Sequence, residues 1–322
     1  MTFVSKKRIN GINQFYLEKS IRLLNGRVKK FSVYIKNYEP KKEFVDINSY
    51  KEKLQKKIIK ELKKIASEYY KKNYIYNKRL IEQLEETKLG YRDIIKKLTK
   101  KQLQDIIDRF TVNFTYESNA IEGNSLTIKD VTMILNENKV ISGKDLREIY
   151  ETLNTREALK LIFNNKLKIN ERDIINLHKI LIKNTGVNVG YKRLPNFLLG
   201  RKIKTAPPEK VEEEINHLIE WYYDSKNMHP LQKATIFHGK FEKIHPFEDG
   251  NGRVGRLLIN IILLNNGYAP LIIRKSHRIA YFNALEAFDD GYFDKLHRFL
   301  IEKYKNTYKN FFGVYIKYLK GE

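Results

Sequence analysis

The most informative segment of this chain reads His245-Pro246-Phe247-Glu248-Asp249-Gly250-Asn251-Gly252-Arg253-Val254-Gly255-Arg256. Gly250 and Gly252 flank an asparagine, directly before an apolar segment over 253–266 that is predicted to be a helix. Glycines allow the backbone to adopt a positive φ and to turn its N–H groups toward one point. The helix N-terminus adds its positive dipole end. The sequence therefore predicts a cradle for an anion at this turn.

Four side chains of the same stretch indicate phosphate chemistry. Arg253 and Arg256 are three positions apart, so both guanidinium groups can reach one side of the helix and suit a di- or triphosphate. Asp249 precedes the cradle, and a carboxylate beside phosphates is a natural Mg²⁺ ligand. His245 precedes the loop, and histidine is a side chain that can serve as a general base near neutral pH. The alternative is a helix start with surface charges and a capping histidine, but the convergence of these roles favours a catalytic site.

These residues resemble the signature of the Fic family, His-Pro-Phe-x-x-Gly-Asn-Gly-Arg-x-x-Arg, and every fixed position is met. The resemblance covers about residues 105–290 and implies transfer of AMP from ATP to a hydroxyl side chain of a target protein, with release of pyrophosphate. It implies that His245 is the base, that Asp249 holds Mg²⁺ or Mn²⁺, and that Phe247 anchors the loop in the core. The implied phosphate ligands are Gly250, Asn251, Gly252, Arg253 and Arg256, the last at the γ-phosphate.

A glycine at position 252 separates this sequence from the related Doc-type kinases, which usually carry lysine there. The AMP-transferring branch of the family is therefore the better match. The prediction is a protein adenylyltransferase that uses ATP and a divalent metal ion.

A second segment, Ser118-Asn119-Ala120-Ile121-Glu122-Gly123, resembles the Fic inhibitory motif. Ser118 and Glu122 are four residues apart and face the same way in the last turn of a helix. The resemblance implies that Glu122 reaches Arg256 and takes the place of the γ-phosphate, as in the class with the inhibitor N-terminal to the core. The alternative is a helix end with a surface glutamate and a terminating Gly123.

Two further regions resemble parts of the family site. A hairpin over 191–208 resembles the flap that holds the target protein by strand addition; its tip residues are Phe197, Leu198, Leu199 and Gly200. An ordinary surface hairpin is the alternative. The stretch 278–291 resembles the region that receives adenine, with Tyr281 and Asp289 as binding residues. The family often has asparagine where Asp289 stands. His178 and His238 are expected to be structural residues in helices.

Periodicity predicts a mainly α protein: a Fic-type helical bundle with a β-hairpin flap, preceded by a small antiparallel β meander and followed by C-terminal helices. Asn25-Gly26 lies between apolar runs and predicts a hairpin turn within a meander over residues 5–37. Capping boxes are predicted at Thr99–Gln102 and at Thr127–Asp130, and Gly90 is predicted to end a helix. Four regions are predicted: a basic meander over 1–40, a helical region over 41–98, the core with its inhibitory helix over 99–290, and a helical tail over 291–322.

The composition of the 322 residues narrows the range of functions. There is no cysteine, which excludes disulfides, thiolate metal sites and cysteine nucleophiles. No apolar run is long enough to cross a bilayer, and the first ten residues do not read as a signal peptide, so a cytoplasmic location is expected. The net charge of +24 is compatible with a nucleic-acid partner or with solvated helix faces.

Three functional readings remain open at this point. The first is AMP transfer from ATP to an unidentified protein target, autoinhibited by Glu122, with self-modification and homo-oligomers as possibilities. The second is the reverse reaction, in which Glu122 orients a water that removes AMP from a modified protein. The third, of another class, is a nucleic-acid-binding regulator that acts through its basic N-terminal meander. No membrane partner is expected.

Overall fold

The structure, a computed structural model, describes residues 2–36, 38, 46–137, 141–196 and 205–320. The chain forms two compact units, Met1–Leu89 and Gly90–Glu322. The chain is mainly helical with a small antiparallel sheet at its N-terminus, as predicted. The finer division into four regions stays a prediction. Across the described residues, no helix combines the length and the apolar character needed to span a membrane.

The sheet of the first unit has three antiparallel strands in the order β1 (Thr2–Ile9), β2 (Ile12–Arg22) and β3 (Val28–Ile35). The Asn25-Gly26 turn joins β2 to β3 as predicted, with Gly26 at φ +81°. The first turn, Asn10-Gly11, has φ values of 50° and 78° and carries the same hairpin signal, which the sequence reading overlooked. The sheet therefore begins at Thr2 rather than at residue 5.

One face of this sheet packs on helix α1 (Ile47–Tyr69). Alternate strand residues point toward the helix, and α1 places an apolar residue there about once per turn. The buried cluster consists of Leu17, Phe31, Ile35, Leu54 and Ile58. A three-stranded sheet with a helix on one side is large enough to bury such a face.

Helix α2 (Lys78–Lys97) continues through Gly90, so the prediction that Gly90 ends a helix is wrong. A glycine within a helix costs only about 1 kcal/mol relative to alanine. Tyr91 and Ile94 continue the buried stripe beyond it, and the Tyr91 ring lies edge-on to Phe312 at 5.1 Å between centroids. Burial of these side chains offsets the cost of the glycine.

Within the part of the chain that the structure describes, ten further α-helices follow, and both predicted capping boxes are present. Thr99 and Gln102 close the box that begins α3, and Thr127 and Asp130 exchange the same two bonds before α4. The helices are α3 (Lys100–Ile121), α4 (Ile128–Glu137), α5 (Leu146–Phe163), α6 (Glu171–Leu181), α7 (Val211–Asp224), α8 (Pro230–Ile244), α9 (Asn251–Asn265), α10 (Arg278–Asp289), α11 (Phe293–Thr307) and α12 (Gly313–Lys320).

Helix α9 is the centre of the second unit. It is buried almost all round, which is the expected position for a helix without a polar face. It packs against α3, α5, α6 and α8. Because α9 begins directly after the loop 245–250, these neighbours bring residues from distant parts of the chain to that loop.

Candidate active site

The loop that carries the signature begins with a change of backbone direction at His245. This residue ends α8 in the left-handed conformation, φ 51° and ψ 63°, and its N–H donates to Phe241 O at 2.9 Å. A left-handed residue at a helix C-terminus closes the helix and turns the chain away. The imidazole is thereby placed at the entrance to the loop, partly exposed.

Phe247 anchors the loop in the core, as the resemblance implied. Its ring is fully buried and stacks on the His178 ring of α6, with centroids 3.8 Å apart and an angle of 2° between the planes. The Asn251 side chain accepts from Phe247 N–H at 2.9 Å and donates to Phe247 O at 2.8 Å. The sequence predicted a nucleotide ligand at Asn251; in the structure its amide closes the loop.

His178 holds the same loop from the other side. Its Nε2 lies 3.1 Å from Asp249 O, and since a carbonyl only accepts, the ring donates this bond. Burial lowers the pKa of His178 to about 4. The ring is therefore neutral near pH 7. The prediction of a structural histidine agrees with this geometry.

The glycines form the predicted turn at the start of α9. Gly250 has φ +83° and precedes the first helical residue, Asn251. The N–H of Gly250 is 2.5 Å from Asp249 Oδ1. A Cβ atom at position 252 would collide with Oε1 of Glu122, so the space above Gly252 belongs to that carboxylate. A side chain at 252 would close the cradle.

Two acidic residues surround Arg253. The buried guanidinium lies 3.0 Å from Glu151 Oε1 and 3.3 Å from Asp249 Oδ2. Arg147 of α5 also contacts Asp249 Oδ2 and lies 3.4 Å from Glu151 Oε1. The four residues alternate in charge. We call Arg147, Glu151, Asp249 and Arg253 the Arg253 side of the site.

Arg256 is held by the last turn of α3. The buried guanidinium donates from Nε to Ser118 Oγ at 3.0 Å and from Nη2 to Ser118 O at 2.8 Å. Nη2 also lies 2.7 Å from Glu122 Oε1. Although burial opposes it, the charge of Glu122 raises the pKa of Arg256 above its ordinary value. We call Ser118, Glu122 and Arg256 the Arg256 side.

The end of α3 is fixed by contacts outside the two motifs. Glu122 is the residue that terminates the helix, and Gly123 follows with φ +103°. Arg278 donates from Nε to Ile121 O at 2.7 Å, and Lys275 N–H donates to Glu117 Oε2 at 2.7 Å. The segment after α9 therefore positions the helix end whose carboxylate meets Arg256.

The two residues predicted for adenine lie apart from each other. Tyr281 is buried, its hydroxyl 2.8 Å from Nε2 of His238 and its ring 5.9 Å from the Arg256 guanidinium. Asp289 lines a cavity of about 740 Å³ that also contacts Ile244, directly before His245. The other lining residues include Pro207, His217, Lys240 and Phe288. This volume is in the usual range for a small-molecule site.

The predicted flap tip, Phe197, Leu198, Leu199 and Gly200, falls outside the described residues. The described chain on either side of it lies along the loop 245–250: Lys192 N–H donates to Pro246 O at 2.9 Å, and Ala206 N–H donates to Ile244 O, directly before the loop, at 3.3 Å. Lys192 Nζ donates to Asn196 Oδ1 at 2.7 Å, to Thr205 Oγ1 at 3.0 Å and to Ile244 O at 3.4 Å. Burial lowers the pKa of Lys192 to about 8.

The structure brings most of the predicted residues together and adds several that the sequence reading missed. His245, Asp249, Gly252, Arg253 and Arg256 share one loop and helix start, and Ser118 and Glu122 join them. The missed residues are Arg147, Glu151, His178 as a loop anchor, and Lys192. The spacing of four between Arg147 and Glu151 was a visible sign of an ion pair on one helix, but nothing in it pointed to Asp249.

The residues fit a magnesium ion that arrives with a nucleotide. Among the described residues, no group of three or more acidic or histidine side chains could hold a metal ion by itself. Mg²⁺ is commonly bound by one or two carboxylates together with substrate phosphates. Asp249 is such a carboxylate, and its side chain is 41% exposed beside the glycine turn.

Comparison with known proteins shows what this chain is similar to. Residues 168–263 match the model of the Fic/DOC family. A signaling protein from Bacteroides thetaiotaomicron that contains a Fic domain has the same fold, with a TM-score of 0.67 over 74% of this chain and 97% of that chain at 24% identity. Residues 168–263 are therefore similar to Fic/DOC proteins, and the likeness to the solved structure shows a shared fold.

Its curated relatives carry an enzymatic name. The protein adenylyltransferase Fic of Nematostella vectensis is 34% identical over 183 residues, 55% of this chain and 43% of that protein. The protein adenylyltransferase fic-1 of Caenorhabditis briggsae is 33% identical over 186 residues, 55% of this chain and 36% of that protein. The matched region thus spans less than half the length of these relatives.

Proposed function

We propose that this protein transfers AMP from ATP to a hydroxyl side chain of a target protein and releases pyrophosphate. The observation that carries the proposal is the convergence of His245, Asp249 and two buried arginines at the glycine turn before α9. The names of the relatives support the reaction type. The cavity beside Asp289 and Ile244 is the proposed place of the adenine base.

In the proposed reaction His245 takes the proton of the target hydroxyl. The hydroxyl oxygen forms a bond to the α-phosphorus, and the bond from that phosphorus to the bridging oxygen breaks. Pyrophosphate leaves with the electron pair, and a Mg²⁺ ion bound through Asp249 would neutralise its charge. The N–H groups at the start of α9 and Arg253 hold the phosphates in line.

Glu122 is the proposed inhibitor of this reaction. Its carboxylate occupies the space over Gly252 and pairs with Arg256 at 2.7 Å. A γ-phosphate is also negatively charged and would bind the same arginine. With Glu122 in place the nucleotide would bind in a displaced position, and the α-phosphate would face His245 badly. In-line attack is sensitive to displacements of this kind.

The test is incubation of wild type and Glu122→Gly with ATP labelled at either the α- or the γ-phosphate. The proposal expects protein-bound label from α-labelled ATP only, with more in the variant, and none once the divalent metal is chelated. Incorporation from γ-labelled ATP would mean phosphoryl transfer and would refute the proposal.

The reverse reaction is distinguished by the same pair of proteins. If wild type released AMP from a pre-modified protein and Glu122→Gly did not, Glu122 would serve to activate water rather than to inhibit. If neither protein gained label and wild type released AMP, removal of AMP would replace AMP transfer as the proposed reaction.

A further inference from the structure

The first unit has a second, uncovered sheet face whose residues differ from those against α1. Residues of neighbouring strands that pair in register share a face, and Ser5, Tyr16 and Tyr34 form one such row. Phe3 and Lys7 of β1 and Lys30 of β3 point the same way. We call Phe3, Lys7, Tyr16, Lys30 and Tyr34 the open sheet face.

The positive charge of the chain is concentrated in this unit. Residues 1–89 contain 23 Lys and Arg against 10 Asp and Glu, a net +13, whereas the remaining 233 residues have 39 against 28, a net +11. More than half of the excess therefore falls in little more than a quarter of the chain. An even scatter of solvated lysines would not give this distribution.

The strands themselves carry seven Lys and Arg and one acidic residue, Glu18. Glu18 is buried on the open sheet face between two lysines, with Oε1 2.9 Å from Lys7 Nζ and Oε2 3.1 Å from Lys30 Nζ. Both lysine side chains are about half exposed, at 42% and 55%. Among the residues of the three described strands, the one carboxylate is thus paired with lysines through both of its oxygens.

Aromatic rings lie among these charges. The rings of Tyr16 and Tyr34 are 5.5 Å apart, and Lys7 Nζ lies 4.5 Å from the centre of the Tyr16 ring. Phe3 and Tyr34 are 46% and 47% exposed, so both rings are accessible to a ligand. Phe3 pairs with Glu18, so it is the diagonal neighbour of Tyr16, about 7–8 Å away. Each of the three strands therefore carries one ring, with Tyr34 directly opposite Tyr16 and Phe3 diagonal to it.

We infer that the open sheet face binds single-stranded nucleic acid, independently of the reaction proposed above. Rings that are spaced across an open sheet can stack on successive unpaired bases, and flanking lysines can pair with the phosphates between them. A duplex keeps its bases stacked on one another and offers no faces to these rings. An anionic membrane or an acidic protein would use the charges without requiring the rings in this order.

The test is fluorescence anisotropy of the full chain with labelled 12-nucleotide oligouridine and oligodeoxythymidine across a salt series. The two oligonucleotides distinguish RNA from DNA as the source of the unpaired bases. Phe3→Ala combined with Tyr34→Ala should weaken binding at least about tenfold, since stacking contributes about 1–3 kcal/mol per base. Tyr74→Ala, a ring of the same unit that is 68% exposed but not on the sheet, is the matched control and should bind as wild type does.

The charges are tested separately. Lys30→Ala should lower the slope of log affinity against log salt by about one, whereas Lys56→Ala, the same charge change on α1, should leave it closer to wild type. Glu18→Gln should release both lysines and tighten binding severalfold. The inference is overturned if the double ring variant binds like Tyr74→Ala, if duplex is bound as tightly as single strand, or if only anionic vesicles are bound.

Discussion

Arg253 and Arg256 lie one turn apart on α9, but they are held by different kinds of partner. On the Arg253 side the partners are Asp249, from the same loop, and Glu151, whose side chain is only 12% exposed within α5. On the Arg256 side the charged partner is Glu122, the residue that caps the C-terminus of α3, whose side chain is 37% exposed. The first arrangement stabilises the loop, and the second can be opened without dismantling a helix.

The difference indicates how one helix start can be both rigid and regulated. Removing Glu122 from Arg256 leaves Ser118 bonded to the guanidinium through two atoms. Removing Glu151 from Arg253 would leave a buried positive charge with only the partly exposed Asp249. A bound nucleotide can therefore displace the acidic partner more easily on the Arg256 side than on the Arg253 side.

The largest expected effect concerns His245, which belongs to neither side. His245→Ala should lower the rate of AMP transfer by about 10²–10⁴-fold because the proton acceptor is lost. Affinity for ATP should stay within a few-fold of wild type, since both arginines remain. Labelled-ATP transfer and equilibrium binding measure the two quantities. A parallel loss of ATP affinity would mean that His245 holds the loop rather than acting as the base.

The next effect separates the two sides directly. Glu122→Gly should raise self-modification by at least about tenfold. This corresponds to a preference of about 1.4 kcal/mol for the state in which Glu122 pairs with Arg256. Glu151→Gln, the matched acid on the Arg253 side, should slow the reaction instead. Arg256→Ala, alone or combined with Glu122→Gly, should not activate, because the γ-phosphate loses its ligand. A time course of AMP incorporation compares these four variants with wild type, and activation by Glu151→Gln would refute the distinction between the two sides.

A smaller effect is expected from Arg147, the exposed member of the Arg253 side. Its guanidinium contacts the carboxylate that we propose as the metal ligand. Arg147→Ala should lower the Mn²⁺ concentration for half-saturation by a few-fold, since exposed ion pairs contribute about 0.2–1 kcal/mol. Mn²⁺ binding in the presence of ATP is followed by electron paramagnetic resonance. Arg109→Ala, which removes an arginine ion-paired to Asp105 on α3, is the charge control and should leave the value unchanged.

The smallest effect concerns Lys192, which bonds to Ile244 O and Pro246 O next to His245. Its pKa is lowered from 10.5 to about 8 by burial, so between these values the unfolded chain binds more protons than the folded one. The contribution of Lys192 to the free energy of unfolding should therefore rise with pH from about 8 to 10.5 and be constant below that range. Urea unfolding of wild type and Lys192→Met over pH 7–10.5 gives the difference. A flat difference would mean that Lys192 is not buried in this way.

The sequence was informative where the chemistry is local. The twelve residues from His245 to Arg256 contain the turn, the anion cradle and its charges within one segment, and the short motif Ser118–Gly123 lies on a single helix turn. Capping boxes and the Asn25-Gly26 turn are equally local. Each of these was predicted because the residues that interact are close in the chain.

The partners contributed by other elements could not be predicted in the same way. His178 stacks on Phe247 and Glu151 pairs with Arg253 only because α5 and α6 pack against α9. Lys192 precedes α8 in the chain. It bonds to Ile244 O and Pro246 O only because its segment lies beside the end of α8 and the loop that follows. Gly90 was misread for the opposite reason, since burial of Tyr91 overrides the local preference of glycine.

His245 has a consequence for how such a protein can change over generations. A left-handed backbone costs a residue with a Cβ atom about 1–2 kcal/mol, and glycine is spared that cost. His245→Gly should therefore melt at a higher temperature than wild type while losing the base, which calorimetry of the two proteins would show. Replacement of His245 by glycine thus increases the stability of the fold while it removes activity. Selection for the reaction, rather than for folding, must therefore keep a histidine at this position.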